Sequence, residues 1–347
     1  MNKSLGAMGA VLSLLLMAGC AASGDSIEAP TMAVTATTAS DPAVPTEPVT
    51  VNIASLKGPT TMGLVGLMEE ASTGMAAEDY QVSVYGTPDE IVPQIVQGKL
   101  DIALVPANLA AVLYNKTAGS DAQIAVLAIN TLGVLNVVEA GDTIHSVADL
   151  KGHTVYSTGK GATPEYVLNY LLTENGLTPG VDVTVEFKSE ATEVSAALAA
   201  EPGAIGVLPQ PYVTVVESKV EGLRTALDLT EEWTKVTADS QLVTGVVVVR
   251  AAFAAEHPEA VLHFMEDYQE STDFVNASPD EAAPLIVDAG IVPDAALAEA
   301  AIPECNITFI DGAALKSTLA GYLGVLFAAD PASVGGSLPG DDFYYGG

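Results

Sequence analysis

Basic residues are scarce in this chain. Twelve Lys plus Arg stand against 44 Asp plus Glu, a formal net charge of -32, and only Arg224 and Arg250 are arginines. Such a surface has no cationic stripe to displace counterions from phosphates, so nucleic acid is excluded as a partner. Anionic lipid surfaces would repel it as well. With two arginines, a bidentate guanidinium clamp on a carboxylate or phosphonate has little to draw on. Cysteine is nearly absent too: Cys20 lies where export processing acts, and Cys305 is left without an intramolecular partner. No disulfide framework is expected, and Cys305 reads as a small buried apolar residue. The four histidines, His145, His153, His257 and His263, are scattered, with no HExxH spacing, and there is no G-x-S-x-G elbow. No catalytic residue, metal ligand or cofactor is therefore nominated. Aromatics make up 5% of the chain, and Trp233 is the one tryptophan, so Ala, Val and Gly must supply most of the core of a layered α/β protein.

What is present begins with an address. Lys3 precedes an apolar run from Leu5 to Ala18, then Gly19 and Cys20. The run is too short for a comfortable membrane span and has the layout of a secretory signal. Met17-Ala18-Gly19-Cys20 resembles a bacterial lipobox, with Met17 where Leu is usual. The expectation is a signal peptide over 1–19, a lipid anchor on Cys20, and a location on the extracytoplasmic face of the membrane. From there to about Pro48 the chain is rich in Ala, Thr, Ser and Pro without hydrophobic period, as a flexible tether would be. No later stretch reads as a transmembrane run.

From Val49 onward apolar strands alternate with helical segments. Strands are predicted at 49–56, 81–86, 101–105 and 123–129, with helices near 62–76, 89–97 and 107–116. A second series has strands at 154–157, 183–187 and 204–208, and helices near 165–175, 192–200 and 212–220. A buried strand at 243–250 follows, and the remainder reads as helical. The βαβα order implies mostly parallel sheets covered by helices. The helical tail cannot stand alone, so it is expected to return to the first unit. That makes two lobes, 49–131 plus 246–347 and 132–245, joined by two hinge crossovers with a ligand cleft between them.

Four segments carry a family resemblance. Gln94-Ile95-Val96-Gln97-Gly98-Lys99-Leu100-Asp101-Ile102-Ala103 resembles a helix-Gly-strand signature of type II periplasmic binding proteins. The run from His145 through Asp149-Leu150-Lys151-Gly152 to Val155 resembles the segment that opens their second lobe. Ala204 to Tyr212 and Val246 to Val261 resemble the strand returning to the cleft and the re-entry into lobe one. The nearest branch is the nitrate/sulfonate/taurine group, which includes binders of thiamine precursors. The resemblance implies a two-lobed clamp and an ABC permease as partner. Without it, two other readings stand: a lipid-anchored sensor domain, and an enzyme of pyrimidine-precursor synthesis sharing the fold.

The candidate ligand residues lie where strands run into helices. Pro59, Thr60, Thr61 and Met62 follow the first strand and open a helix, where unpaired backbone N–H groups suit an anion or a polar oxygen. Thr158, Gly161, Ala162 and Thr163 repeat that layout in the second lobe, without the GK[ST] ending of a P-loop. Asn108, Gln210 and Tyr212 end strands in the two lobes, and Thr131 lies at the first crossover. For an anionic ligand, Lys57 or Lys160 would supplement the amides. Trp233 could cover a flat ligand near the hinge or simply fill a gap. A monomer is expected.

Overall fold

The computed structural model describes residues 47–346. The predicted signal peptide, Cys20 and nearly all of the tether lie outside the described residues. The body opens with β1 (Thr50–Leu56), α1 (Pro59–Met62), α2 (Val65–Thr73), β2 (Asp79–Tyr85), α3 (Pro88–Val96), β3 (Ile102–Pro106), α4 (Ala107–Thr117) and β4 (Ile124–Leu132). A second series follows: β5 (Leu135–Glu139), β6 (Thr154–Ser157), α5 (Thr163–Glu174), β7 (Thr184–Phe187), α6 (Ala191–Ala200), β8 (Ile205–Pro209), α7 (Tyr212–Glu217), β9 (Arg224–Asp228) and α8 (Leu229–Val236). The chain then returns through β10 (Val243–Arg250), α9 (Ala251–Glu256), α10 (Pro258–Ala277), α11 (Pro279–Asp288), α12 (Ala295–Ala301), β11 (Ile307–Ile310) and α13 (Gly312–Ala329).

Two sheets result, one per lobe, as an α/β two-lobed fold requires. The first has the order β11-β4-β10-β3-β1-β2, the second β7-β6-β8-β5-β9. The chain passes from the first sheet to the second between Leu132 and Leu135, and comes back between Val236 and Val243.

The expectation of mostly parallel sheets needs correction. β1 pairs in parallel with β2 and β3, and β6 with β7 and β8. β10 is antiparallel to both β3 and β4, and β5 is antiparallel to β8 and β9. The cause is topological. A strand that enters a lobe from its neighbour starts at the cleft end, so it must run against the strands that end there. Three short strands, β5, β9 and β11, and helix α8 are additional to the predicted elements. The single helix predicted over 62–76 is two, α1 and α2, separated at Gly63. A Cβ on Gly63 would meet Ile307 Cγ2 at 2.9 Å and Thr272 Cγ2 at 3.2 Å, so the bend is pressed against the returning tail.

One continuous apolar core runs through both lobes. It joins Val126, Ile129, Val246 and Val248 of the first sheet to Val137, Val155, Ile205 and Val207 of the second. Helix α13 lies in the middle of it, with Leu315, Leu319, Tyr322, Leu323 and Leu326 buried. At 18 residues α13 is the one helix among the described residues long and apolar enough to span a bilayer, contrary to the expectation that no such run follows the leader. Its buried face packs on β4, β10, α4 and α5, which is the role of a core helix.

Candidate functional site

Strand-to-helix junctions from both lobes meet around one cavity of about 430 Å³. Lobe one supplies Leu56, Lys57, Pro59 and Thr60 after β1, Gly86 to Asp89 after β2, and Pro106 and Leu109 after β3. The second lobe supplies Thr158 to Pro164 after β6, Lys188 to Thr192 after β7, and Pro209 and Tyr212 after β8. Every one of these strands presents its carboxyl end, the position where open α/β sheets bind ligands. Leu135 and Thr244 border the cavity from the two crossovers.

Of the residues predicted from sequence, Pro59, Thr60, Thr158, Gly161, Ala162, Thr163 and Tyr212 line this cavity. Thr61, Met62, Asn108, Thr131 and Gln210 do not, and each absence has a packing reason. Thr61 is fully buried and lies 2.7 Å from Ser55 Oγ, fastening α1 to β1. Met62 belongs to the α11–α12 core, with its sulfur 3.7 Å from Cys305 Sγ. Asn108 is a tie between lobes: it donates to Ser333 O at 3.0 Å and to Gly161 O at 3.5 Å, and accepts from Thr163 Oγ1 at 3.3 Å. Gln210 turns its oxygen to Thr214, accepting from its hydroxyl at 2.9 Å. Thr131 is fully buried, and its Oγ1 has no hydrogen-bond partner. Trp233 is fully buried outside the cavity, between Tyr170 and Tyr322 at centroid distances of 5.0 and 5.5 Å, and donates to Ser240 O at 3.1 Å. Cys305 is buried, and burial pushes its thiol well above the ordinary range, as for an inert packing residue.

The loops after β2 and β7 were not predicted as ligand residues, although a signal existed. Thr87-Pro88-Asp89-Glu90 and Glu190-Ala191-Thr192-Glu193 place a Glu at the third helical position, the layout that starts a helix. The same chemistry modifies the reading of bare helix starts as anion traps. Glu90 Oε2 accepts from the N–H groups of Gly86 and Thr87, each at 3.1 Å. Glu165 accepts from Gly161 N at 2.5 Å, and Glu193 from Ser189 N at 2.9 Å. The chain's own carboxylates thus hold several of the donors that a ligand would need.

Fixed charge is distributed unevenly around the cavity. Lys57 reaches it from lobe one, and Lys160 and Lys188 from the second, in a chain with twelve basic residues. Lys188 is engaged by Glu186 at 2.6 Å and lies 5.0 Å from the Tyr156 ring centroid. Lys57 and Lys160 have no ion-pair partner among the described residues. Asp89 and Glu190 are the acidic groups on the lining. Tyr212 stays neutral: burial first, then the Glu190 carboxylate, pushes its phenol up to about 12. Both arginines are committed elsewhere. Arg250 pairs with Asp101 at 2.6 Å, and Arg224 with Glu139 at 2.9 Å and Asp142 at 3.2 Å. The remainder of the wall combines Leu, Val, Pro, Ala and Gly with the hydroxyl residues Thr60, Thr87, Thr158, Thr163, Ser189, Thr192 and Thr244. No group of three His, Cys, Asp or Glu able to hold a metal occurs among the described residues.

Comparison with known proteins gives these features a context. No curated protein sequence matches the chain. An ABC transporter protein from Parabacteroides distasonis shares the fold at a TM-score of 0.70 and 23% identity, over 85% of this chain and 98% of that one. The alkanesulfonate-binding protein SsuA of Xanthomonas axonopodis pv. citri, solved bound to MOPS, superposes at 0.66 with 15% identity, over 87% and 98%. The nitrate-binding protein NrtA of Synechocystis PCC 6803 superposes at 0.55 with 14% identity, over 69% and 66%. Residues 66–292 match the family described as ABC transporter, phosphonate, periplasmic substrate-binding protein. With the junctions of both lobes turned onto one cavity and the family match covering most of the folded body, the chain belongs to this family of periplasmic substrate-binding proteins and is the ligand-capturing component of an ABC importer.

Proposed function

We propose that the cleft takes an organic anion, a sulfonate or phosphonate with an apolar body, in preference to a bare inorganic oxyanion. The carrying observation is the pair Lys57 and Lys160, one on each side of the cavity and neither in an ion pair, above walls of Leu56, Val92, Leu109, Leu135 and Pro106. In a protein of this net charge, two free ammonium groups on one cleft give an anionic head its attraction. The apolar walls give a hydrocarbon body somewhere to leave water. A cavity of about 430 Å³ exceeds the needs of a nitrate ion many times over. MOPS, the molecule bound to the Xanthomonas relative, is a sulfonate with a sizeable body.

Capture works by closure. The lobes, 49–131 plus 246–347 and 132–245, turn about the two crossovers, and a ligand touching both binds the closed form better. Cys20 carries the lipid that keeps the monomeric protein beside its permease. Thermal-shift measurements on the soluble body test the ligand class. At a hundredfold excess over its Kd, a sulfonate or phosphonate is expected to stabilise by about 2.7 kcal/mol, and nitrate to do far less. Stabilisation by nitrate or by a thiamine-type pyrimidine, with none by either organic anion, would reject the reading.

A further inference from the structure

The floor of the cavity is made where β4 and β10 cross from lobe to lobe, and the ladder there is irregular. Val243 pairs with Leu132, Gly245 with Thr131, and Val246 with Ile129. Thr244 is therefore an extra residue on β10, and Asn130 an extra residue on β4. The two bulges are adjacent and opposite in sense, so the second restores the register that the first displaces. Val246 and Val247 keep the register of Val243 while the residues at the crossing are re-aimed, and a further shift follows between Val247 and Val248.

Those residues are polar and short of partners. Thr244 borders the cavity, and its Oγ1 is shut off from solvent with no hydrogen-bond partner in the protein. Thr131 and Asn130 are fully exposed to nothing but protein, at 0% accessibility, and Thr131 Oγ1 with both Asn130 amide atoms are likewise unpartnered. All three gather around Gly245. A Cβ there would stand 2.5 Å from Asn130 Oδ1, 2.9 Å from Thr60 Cγ2 and 3.4 Å from Thr131 Cβ. Leaving buried polar atoms unpaired is unfavourable, and a pair of compensating bulges that creates such a group is a feature with a use. Other hydroxyls on the lining, those of Thr60, Thr87, Thr163 and Thr192, already have partners within the protein.

We propose that Thr244 determines specificity at the cleft floor, by turning its buried hydroxyl about χ1 into the cavity to hydrogen-bond a neutral polar group, such as a hydroxyl, at the end of the ligand remote from its anionic head. Asn130 and Thr131 are positioning residues that shape the bulged floor beneath it. The inference rests on the organic-anion reading above and deepens it: the ligand is polar at both ends and apolar between.

The test compares short linear 1-alkanesulfonates and 1-alkylphosphonates, each against its ω-hydroxylated counterpart, by calorimetry on the soluble body. Wild type is expected to bind the hydroxylated member about tenfold more tightly at the matching chain length, Thr244→Val to lose that preference, and Thr244→Ser to keep it. Equal binding of both members by wild type, or an unchanged preference in Thr244→Val, overturns the proposal. Binding by neither series counts against the organic-anion reading, and a second measurement then decides the floor by itself. Without ligand, Thr244→Val and Thr131→Val replace an unpaired hydroxyl by a methyl of the same shape, so each should raise the thermal midpoint, by about 2 °C. A lowered midpoint in Thr244→Val would mean that its hydroxyl is already partnered, and the proposal falls.

Discussion

The two lobes meet twice, and the two meetings are built from opposite materials. At the front, around the cavity, they present unpaired lysines, an unpartnered threonine hydroxyl and helix starts held by their own glutamates. At the back, Trp233 and Tyr170 of the second lobe close on Tyr322 of α13, and Asn108 ties α4 to Gly161, Thr163 and Ser333. At the back the Trp233 indole N–H and the Asn108 amide are paired, although the Tyr322 hydroxyl is not; the front leaves more groups for something else to pair. Stability and binding are thus kept in separate places between the same two bodies. A residue type names neither place: Asn108 and Thr163 both read as cleft residues in the sequence and Trp233 as a ligand cover or a gap filler, and only Thr163 reaches the cavity, while also serving the tie.

Substitutions can break that division. The largest effect is expected from Trp233→Ala, which empties a fully buried site in the shared core and should cost about 3–5 kcal/mol in denaturant unfolding. A loss under about 1 kcal/mol would show that the back is not a shared core. Asn108→Ala leaves Gly161, Ser333 and Thr163 groups without their partner. A cost of about 2 kcal/mol is expected, together with faster ligand release in stopped-flow measurements because the open form gains population. Unchanged release would assign Asn108 to stability alone.

At the front the order reverses. Lys57→Gln and Lys160→Gln should each weaken binding of an organic anion about tenfold, near 1.4 kcal/mol, with thermal midpoints close to wild type. Both lysines are exposed, so the loss should shrink as salt is raised, and a salt-independent loss would argue against direct attraction.

The smallest effect lies far from both meetings. His263 Nδ1 is 2.7 Å from Glu78 Oε1, and that hydrogen bond raises the imidazole pKa against an opposing desolvation, with Asp267 and Glu266 adding to the rise. A raised folded pKa stabilises fully below the unfolded value of about 6.5, and the contribution is lost as pH climbs through the folded one. The stability difference between wild type and His263→Gln should therefore narrow as pH rises above the unfolded value of about 6.5. It will be small because the side chain is 42% exposed. A difference that widens with pH would reverse the sign of the pairing.

Much of this was legible before any tertiary contact was considered. Alternation of strand and helix from Val49 to Val220 predicted an α/β body, since a strand period of two and a helix period of 3.6 are local properties. The apolar helices after β10 had no sheet of their own, which predicted their return. The scarcity of arginine was informative by itself: with only two, a negative ligand charge would have to be met mainly by lysine or backbone. β5, β9 and β11 escaped prediction because they are only four or five residues long, and two of them lie at sheet edges where burial is partial.

The tertiary structure alone decided which polar side chains face the cavity. Sequence places Thr60 and Thr61 side by side, but Ser55 claims the second and leaves the first on the lining. It places Thr131 at the first crossover and Thr244 in a strand more than a hundred residues later, and the antiparallel entry of β10 between β3 and β4 sets them against Gly245. Local spacing controls which element a residue joins. Orientation at a junction, and the shift of register at a bulge, depend on the partner strand, and that partner is chosen only when the chain comes back from the other lobe.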